Sequence, residues 1–284
     1  MLRPKNNKTK PRIKHRPFLK WAGGKFRLTD DLNRVFPKRK QCLIEPFVGA
    51  GAVFLNSHFE RYILADINPD LINLFNIVKD NVDAYIEACK PIFFAENANT
   101  ADYYYVQREA FNQSTDPFVR SVLFLYLNRF GFNGLCRYNS KNEFNVPFGA
   151  YKTHYFPEDE LRYFAHKAQS AVFLCADFQQ TFELADKHSV IYCDPPYAPL
   201  PQDTNFTGYA GNAFGLEHQK NLAECAKKAQ KEKQISVVIS NHDTKFTREI
   251  YKGAKFKRVK VQRSISQSSE KRVKVKELIA IFKG

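Results

Sequence analysis

Short apolar runs punctuate the chain, each closed by glycine, proline or an acid. Cys42-Leu43-Ile44-Glu45-Pro46-Phe47 reads as a buried strand, and Gly49-Ala50-Gly51 ends it before Ala52-Val53-Phe54-Leu55 opens a helix. Arg61–Asp66 is a second short apolar strand that finishes on an acid. Strand, glycine turn, helix, strand is a βαβ unit, which predicts a parallel sheet covered by helices. The pattern resumes with Val172–Cys175, Val190–Cys193 and Ile235–Ser240 as strands, and Leu216–Lys231 has helical spacing with a charged face. Near the C-terminus, Phe256–Ser264 and Val273–Phe282 flank the turn-forming Gln267-Ser268-Ser269-Glu270. That pairing predicts an antiparallel hairpin on an otherwise parallel sheet.

Between residues 69 and 157 the texture changes. Helical patterns run around Leu71–Val78, Asp83–Cys89, Tyr103–Phe111 and Phe118–Asn128. An irregular stretch, Arg129–Asn139, follows, rich in aromatic residues, Asn, Gly and Arg, and Phe144–Gly149 reads as the returning arm of a hairpin. The expected fold is therefore α/β. A Rossmann-like sheet with a C-terminal antiparallel hairpin is built from 18–68 and 158–284, with a mainly helical insert over 69–157.

Composition adds a partner. The 284 residues are 44% hydrophobic, enough for a sizeable core, yet no apolar run reaches the ~18 residues a membrane helix needs. Lys and Arg number 44 against 29 acids, a net charge of +15. Such a surplus points to a polyanion, with nucleic acid first. The first 16 residues hold seven bases and no acid, with Pro4 and Pro11 inside the run and Pro17 after it. Residues 1–17 read as a flexible basic arm that either touches phosphates or only solubilises; it has no apolar stretch of the secretory kind. Six scattered cysteines without a C-x-x-C pair read as reduced core thiols, Cys193 included, and seven histidines show no ligand spacing, so no metal is expected.

Two constellations carry chemistry. The first is Glu45–Gly51, with Asp66 fifteen residues after the last glycine. Glycines at a strand-to-helix turn let a ligand approach the backbone, and an acid ending the next strand is placed to accept ribose hydroxyls. This fits an adenosine-containing cofactor, while a dinucleotide or a purely structural turn stays open. The second is Asp194-Pro195-Pro196-Tyr197 after a buried strand. Successive prolines stiffen the backbone, which would fix the Asp194 carboxylate and the Pro195 carbonyl as two acceptors for the two hydrogens of an exocyclic amine. Tyr197 offers an aromatic face for a base.

Phe18–Lys25, Glu45–Gly51, Asp66 and Asp194–Tyr197 together resemble the DNA adenine-N6 methyltransferases, and within them the bacterial Dam methylases that act on GATC. Phe124–Arg129, Asn133–Asn139 and Ser240–Thr244 extend the resemblance to nearly all of Phe18–Phe282. It implies a Rossmann-like methyltransferase that uses S-adenosylmethionine, releases S-adenosylhomocysteine and needs neither a metal nor a covalent intermediate. Asp194, Pro195 and Tyr197 would be catalytic. Trp21, Lys25, Glu45, Gly49, Gly51, Asp66, Asp177, Phe178 and Asp194 would surround the cofactor.

The 69–157 insert would be the target-recognition domain. Lys20, Arg129, Phe132, Asn133, Leu135, Arg137, Asn139, Pro147 and Tyr151 would face double-stranded DNA containing GATC. Arg137 would read guanine, since a guanidinium can bridge O6 and N7 in the major groove. Phe132 and Asn133 would intrude beside an adenine flipped from the duplex, and a mobile Ala198–Gly215 loop would close over it. Phe132 stands where the family carries tyrosine, and Ala150 where it carries arginine, which removes a phosphate contact. A monomer in the bacterial cytoplasm, associated with the nucleoid through DNA, is the implied setting, with no membrane partner. The alternatives are methylation of cytosine N4 or another amine and, in a different class, a nicotinamide-dependent oxidoreductase.

Overall fold

Buried on both faces, a strand reads as a nearly continuous apolar run, and two adjoining central strands show this. In the computed structural model, which describes residues 13–198, 214–262 and 274–284, all residues of β1 (Cys42–Glu45) and β4 (Ser189–Cys193) are buried. Next to β1 lie β2 (Arg61–Asp66) and then β3 (Ala171–Cys175). Beyond β4 lie β5 (Ser236–His242), β7 (Lys274–Phe282) and, at the edge, β6 (Lys255–Gln262). β1 to β5 are parallel, with Ile44 paired to Ile63 on one side and Ile191 on the other. β7 is antiparallel to both β5 and β6.

Alternate residues of each central strand serve different layers. Leu43, Val190 and Tyr192 join the apolar cluster on one face, and Ile44, Ile191 and Cys193 join the cluster on the other. The first cluster is continuous with the helices after β2: α3 (Pro69–Asp80), α4 (Val82–Phe93), α5 (Ala101–Gln113) and α6 (Pro117–Phe130). The helices α1 (Thr29–Val35), α2 (Ala52–Asn56) and α7 (Glu158–Ala168) also close that face. On the other face lie α8 (Phe178–Glu183) and α9 (Leu216–Lys233), whose Leu222, Ala223, Ala226 and Ala229 are buried; α10 (Lys245–Ile250) follows β5.

The helices after β2 begin where the sequence provides caps. Asn68 accepts from the N–H groups of Asp70 and Leu71, Asn81 from Ala84, Thr100 from Tyr103 and Asp116 from Val119. Proline fills the first position of α3 and α6, where no N–H is needed. α6 is buried from Ser121 to Asn128, so it is the central post around which α3, α4 and α5 pack.

The parallel sheet and its C-terminal antiparallel hairpin agree with the sequence expectation. Three helices, α7, α8 and α10, have no counterpart in it, whereas α1 follows the Gly23-Gly24 turn, after which the sequence pattern predicts a helix through Leu32. Not every cysteine is in the core: Cys42, Cys89 and Cys193 are buried, but Cys175 is exposed and Cys136 and Cys225 are intermediate. Cys175 ends β3, the edge strand, where Val172 is likewise uncovered. The arm through residue 12, the span 199–213 of the expected closing loop and the turn at 267–270 lie outside the described residues.

Candidate active site and recognition loop

The strand sequence turns outward from β1 to β2 on one side and from β4 to β5 on the other, so the carboxyl ends of β1 and β4 mark the switch point of the sheet. In doubly wound folds this crevice holds ligands. Glu45 ends β1, Asp66 ends β2 and Asp194 follows β4.

Lys25, only 6% exposed, places its Nζ 3.0 Å from Asp194 Oδ1, whose side chain is 19% exposed. The same Nζ donates to the Gly23 carbonyl at 2.5 Å and lies 4.6 Å over the Tyr197 ring. The lysine approaches Asp194 as an ion pair out of hydrogen-bond alignment, so among the described residues Oδ1 has no hydrogen-bond partner. Burial pushes the Asp194 carboxyl up to about 6, against the pull of Lys25. Glu45 lies behind it, buried, with Oε1 likewise unpartnered among the described residues. Burial first, and the charge of Asp194 second, hold Glu45 well above the ordinary carboxylate range.

The glycine turn joins this group to Asp66. Gly49 has φ +47°, and a Cβ there would sit 2.9 Å from Trp21 Nε1, so the indole packs where no side chain fits. Gly51, at φ 74°, caps α2. Asp66 Oδ2 accepts from the Gly49 N–H at 3.2 Å and Oδ1 from the Asn68 N–H at 3.0 Å. Burial raises its pKa, opposed by these backbone N–H groups. The structure thus brings Trp21, Lys25, Glu45, Gly49, Gly51, Asp66 and Asp194 to one end of the sheet. Asp177 and Phe178, beyond the carboxyl end of β3, also make local contacts. Asp177 Oδ1 caps α8 through the Gln179 N–H at 2.8 Å, and Phe178 is buried, stacked on Phe47 at 5.8 Å.

The tetrapeptide is tied down by residues that its own sequence does not reveal. Gln219 donates to the Pro196 carbonyl at 2.7 Å, Asn241 accepts from the Ala198 N–H at 3.0 Å, and His242 Nδ1 meets the Ala198 carbonyl at 2.7 Å. Asn241 also donates to Gln219 at 2.9 Å and to the Tyr251 hydroxyl at 3.0 Å. Gln219, Asn241, His242, Tyr251 and Ala198 are all buried. One signal for it was readable: Gln219 stands three and four residues before Leu222 and Ala223, on the apolar stripe of α9.

The recognition loop doubles back as expected, through bridges Gly131–Phe148 and Tyr138–Phe144. Asn128 grips the Lys20 backbone twice, each bond 2.8 Å. Lys20 Nζ donates to the Arg129 carbonyl at 2.7 Å and lies 3.7 Å over the Tyr151 ring. Burial, with Arg129 second, lowers Lys20 to about 8. Phe132 is 39% exposed, next to Asn133 at φ +54°. Pro147 is exposed, and its carbonyl accepts the Phe132 N–H at 2.9 Å. Arg137 is exposed, its fork braced by Asn145 through Nε at 2.7 Å and Nη2 at 3.1 Å. Two expected DNA-facing side chains are engaged elsewhere. Leu135 packs on the core, and the Asn139 amide is spent on the 139–143 turn, bonded to Lys141 and Glu143.

No group of three or more His, Cys, Asp or Glu among the described residues is placed to hold a metal ion. No helix among them is long and apolar enough to cross a membrane.

Residues 21–265 match the family of D12 class N6 adenine-specific DNA methyltransferases. The chain belongs to that family: it is an adenine-specific DNA methyltransferase. It is 83% identical over 282 residues to the DNA adenine methylase of Haemophilus influenzae, covering 99% of each chain. Against the DNA adenine methylases of Escherichia coli K12 and Vibrio cholerae the identity is 58%, over 95% of this chain and 96% of theirs. Neither cytosine N4 methylation nor nicotinamide chemistry is the reaction of this family.

Proposed function

We propose that the protein transfers a methyl group from S-adenosylmethionine to N6 of adenine in GATC, after flipping the adenine out of double-stranded DNA. The observation that carries the reading is the meeting of Lys25, Asp194 and Tyr197 at the sheet's switch point, beside Gly49 and Asp66.

The residues present fit the donor. Asp66 ends its strand with both oxygens turned to backbone N–H groups and lone pairs to spare for ribose hydroxyls. The Trp21 indole packs over Gly49, where no side chain fits, and Asp194 Oδ1, ion-paired to Lys25, and Glu45 Oε1 have no hydrogen-bond donor among the described residues. When bound, S-adenosylmethionine supplies an activated methyl group on a cationic sulfur.

The chain's own groups do the rest. The ionised Asp194 carboxylate accepts a hydrogen bond from the adenine amine, which raises electron density on the nitrogen and orients its lone pair; the methylated nitrogen then sheds one N–H proton to solvent. Lys25 favours that ionised form. Tyr197 gives the flipped base a surface, and Gln219, Asn241 and His242 hold the segment still. Fixed geometry of this kind replaces the entropic cost of bringing two reactants together. On the recognition side, Arg137, braced by Asn145, is the guanine reader, and Phe132 and Asn133 fill the space the adenine leaves. Lys20, Arg129, Tyr151 and Pro147 support the DNA path. The protein acts as a monomer in the bacterial cytoplasm, on nucleoid DNA, with 69–157 as its target-recognition domain.

Unmethylated plasmid incubated with the protein and S-adenosylmethionine, then cut by endonucleases that distinguish methylated from unmethylated GATC, tests this. Protection of GATC is expected. Label entering other sequences while GATC stays unmodified would refute the specificity.

A further inference from the structure

Tyr197 is held from three sides, and two of the holders lie far from the tetrapeptide in sequence. Its hydroxyl donates to Glu277 Oε2 at 3.0 Å. Its ring meets His242 edge to face, centroids 4.8 Å apart at 79°. Lys25 Nζ lies 4.6 Å over the ring. Glu277 on β7 stands opposite His242 on β5 in the antiparallel register, so one strand pair carries both contacts. The hairpin that ends the sheet therefore reaches back to the catalytic segment.

This arrangement carries an electrostatic cost. Glu277 is a second carboxylate close enough to Asp194 to raise its pKa. A like charge beside a buried carboxylate opposes the ionised form that the reaction needs. Tyr197 could be buried without it, since a phenylalanine of the same shape has no hydroxyl to satisfy. The hydroxyl and its acceptor together anchor the tip of the ring and, since a phenol O–H lies in the ring plane, favour one setting of that plane, which the His242 edge contact also holds.

We propose that Glu277 is a positioning residue for methyl transfer. Through the Tyr197 hydroxyl it fixes the ring plane on which the target adenine stacks, and so fixes the amine against Asp194. The inference rests on the reading of Tyr197 as the stacking surface. An aromatic pair tolerates sliding, but in-line transfer does not, and a misplacement of about 1 Å costs on the order of 10²-fold in rate.

The full-length protein is assayed on a duplex with one GATC site, and on the same duplex with 2-aminopurine at the target position. Glu277→Ala should lower kcat roughly 10- to 100-fold while cofactor and duplex Kd stay within about 2-fold. Glu277→Gln, whose amide oxygen still accepts the hydroxyl, should restore most of that loss. Tyr197→Phe removes the same bond from the other side, so it should match Glu277→Ala both in kcat and in altered 2-aminopurine emission. The double variant Tyr197→Phe/Glu277→Ala should be no slower than either alone.

Undiminished kcat in Glu277→Ala overturns the proposal, as do independent, multiplying losses in the double variant. A Glu277→Gln as slow as Glu277→Ala would assign the effect to charge and overturn it too. Tyr197→Ala separates the two layers. If Tyr197→Ala keeps full turnover, the stacking role itself fails. If it abolishes turnover while Glu277→Ala does not, only the role of Glu277 fails.

Discussion

A carboxylate buried beside a lysine is poised between two demands. Asp194 must be ionised to accept a hydrogen from an amine, yet burial lifts its pKa to about 6. A raised carboxyl is protonated below its folded-state pKa, and a protonated Asp194 has lost accepting capacity. We expect kcat to fall as pH drops through about 6 and to be level above it until other groups titrate, read from single-turnover methyl transfer. A profile flat down to pH 4.5 would contradict the assignment. Lys20 presents the opposite sign. Its pKa is lowered to about 8 by burial and by Arg129, so in the free protein it begins to lose its charge there. A phosphate favours the charged form, so duplex binding near pH 8 to 9 should take up a proton. Calorimetry in buffers of different ionisation enthalpy reads that uptake, and Lys20→Met should remove it.

At the scale of elements, the catalytic segment is only as rigid as the helix and strand beneath it. Gln219 on α9 and Asn241 on β5 share hydrogen bonds with each other, with Tyr251 and with the Pro196–Ala198 backbone. Removing one member leaves buried polar partners unmet, which costs ~1–3 kcal/mol. Gln219→Ala should therefore lower unfolding stability by about that amount and reduce kcat without changing sequence preference, checked by denaturation and by kinetics on GATC and altered sites. Most elements were legible from hydrophobic spacing: β1 and β4 read as apolar runs because both faces are covered. α7 was missed because its four buried positions, Leu161, Phe164, Ala165 and Ala168, follow an aromatic-rich loop that masks its start. α8 was missed for a different reason. Asp177, which opens it as a cap, has the same strand-end position as a ligand acid, and local sequence does not separate the two roles.

The whole molecule joins a sheet-end site to a loop-bearing helical block through one continuous core. Its net charge of +15 predicts an electrostatic grip on DNA. For a protein contacting six to ten phosphates, affinity falls by about 10³ to 10⁵ between 50 and 200 mM salt. We expect a loss in that range in fluorescence-anisotropy titrations; an affinity insensitive to salt would contradict it. The candidate site was readable in sequence at residues close to the strand ends, Gly49, Asp66 and Asp194, while Lys25, before the first strand, followed only from the family resemblance. Its supports were not. Glu277 reaches Tyr197 only because β7 inserts antiparallel between β5 and β6, and pairings made by a sheet's closing hairpin leave no local pattern.

The central claim is that Asp194 activates the adenine amine within an otherwise intact complex. Asp194→Ala, assayed in a single turnover with saturating S-adenosylmethionine and a GATC duplex, tests it most directly. The account predicts methyl transfer lowered by about 10²- to 10³-fold, since the principal acceptor of a preorganised site is gone, with duplex affinity within about 3-fold of wild type. Transfer at a rate near wild type would contradict it.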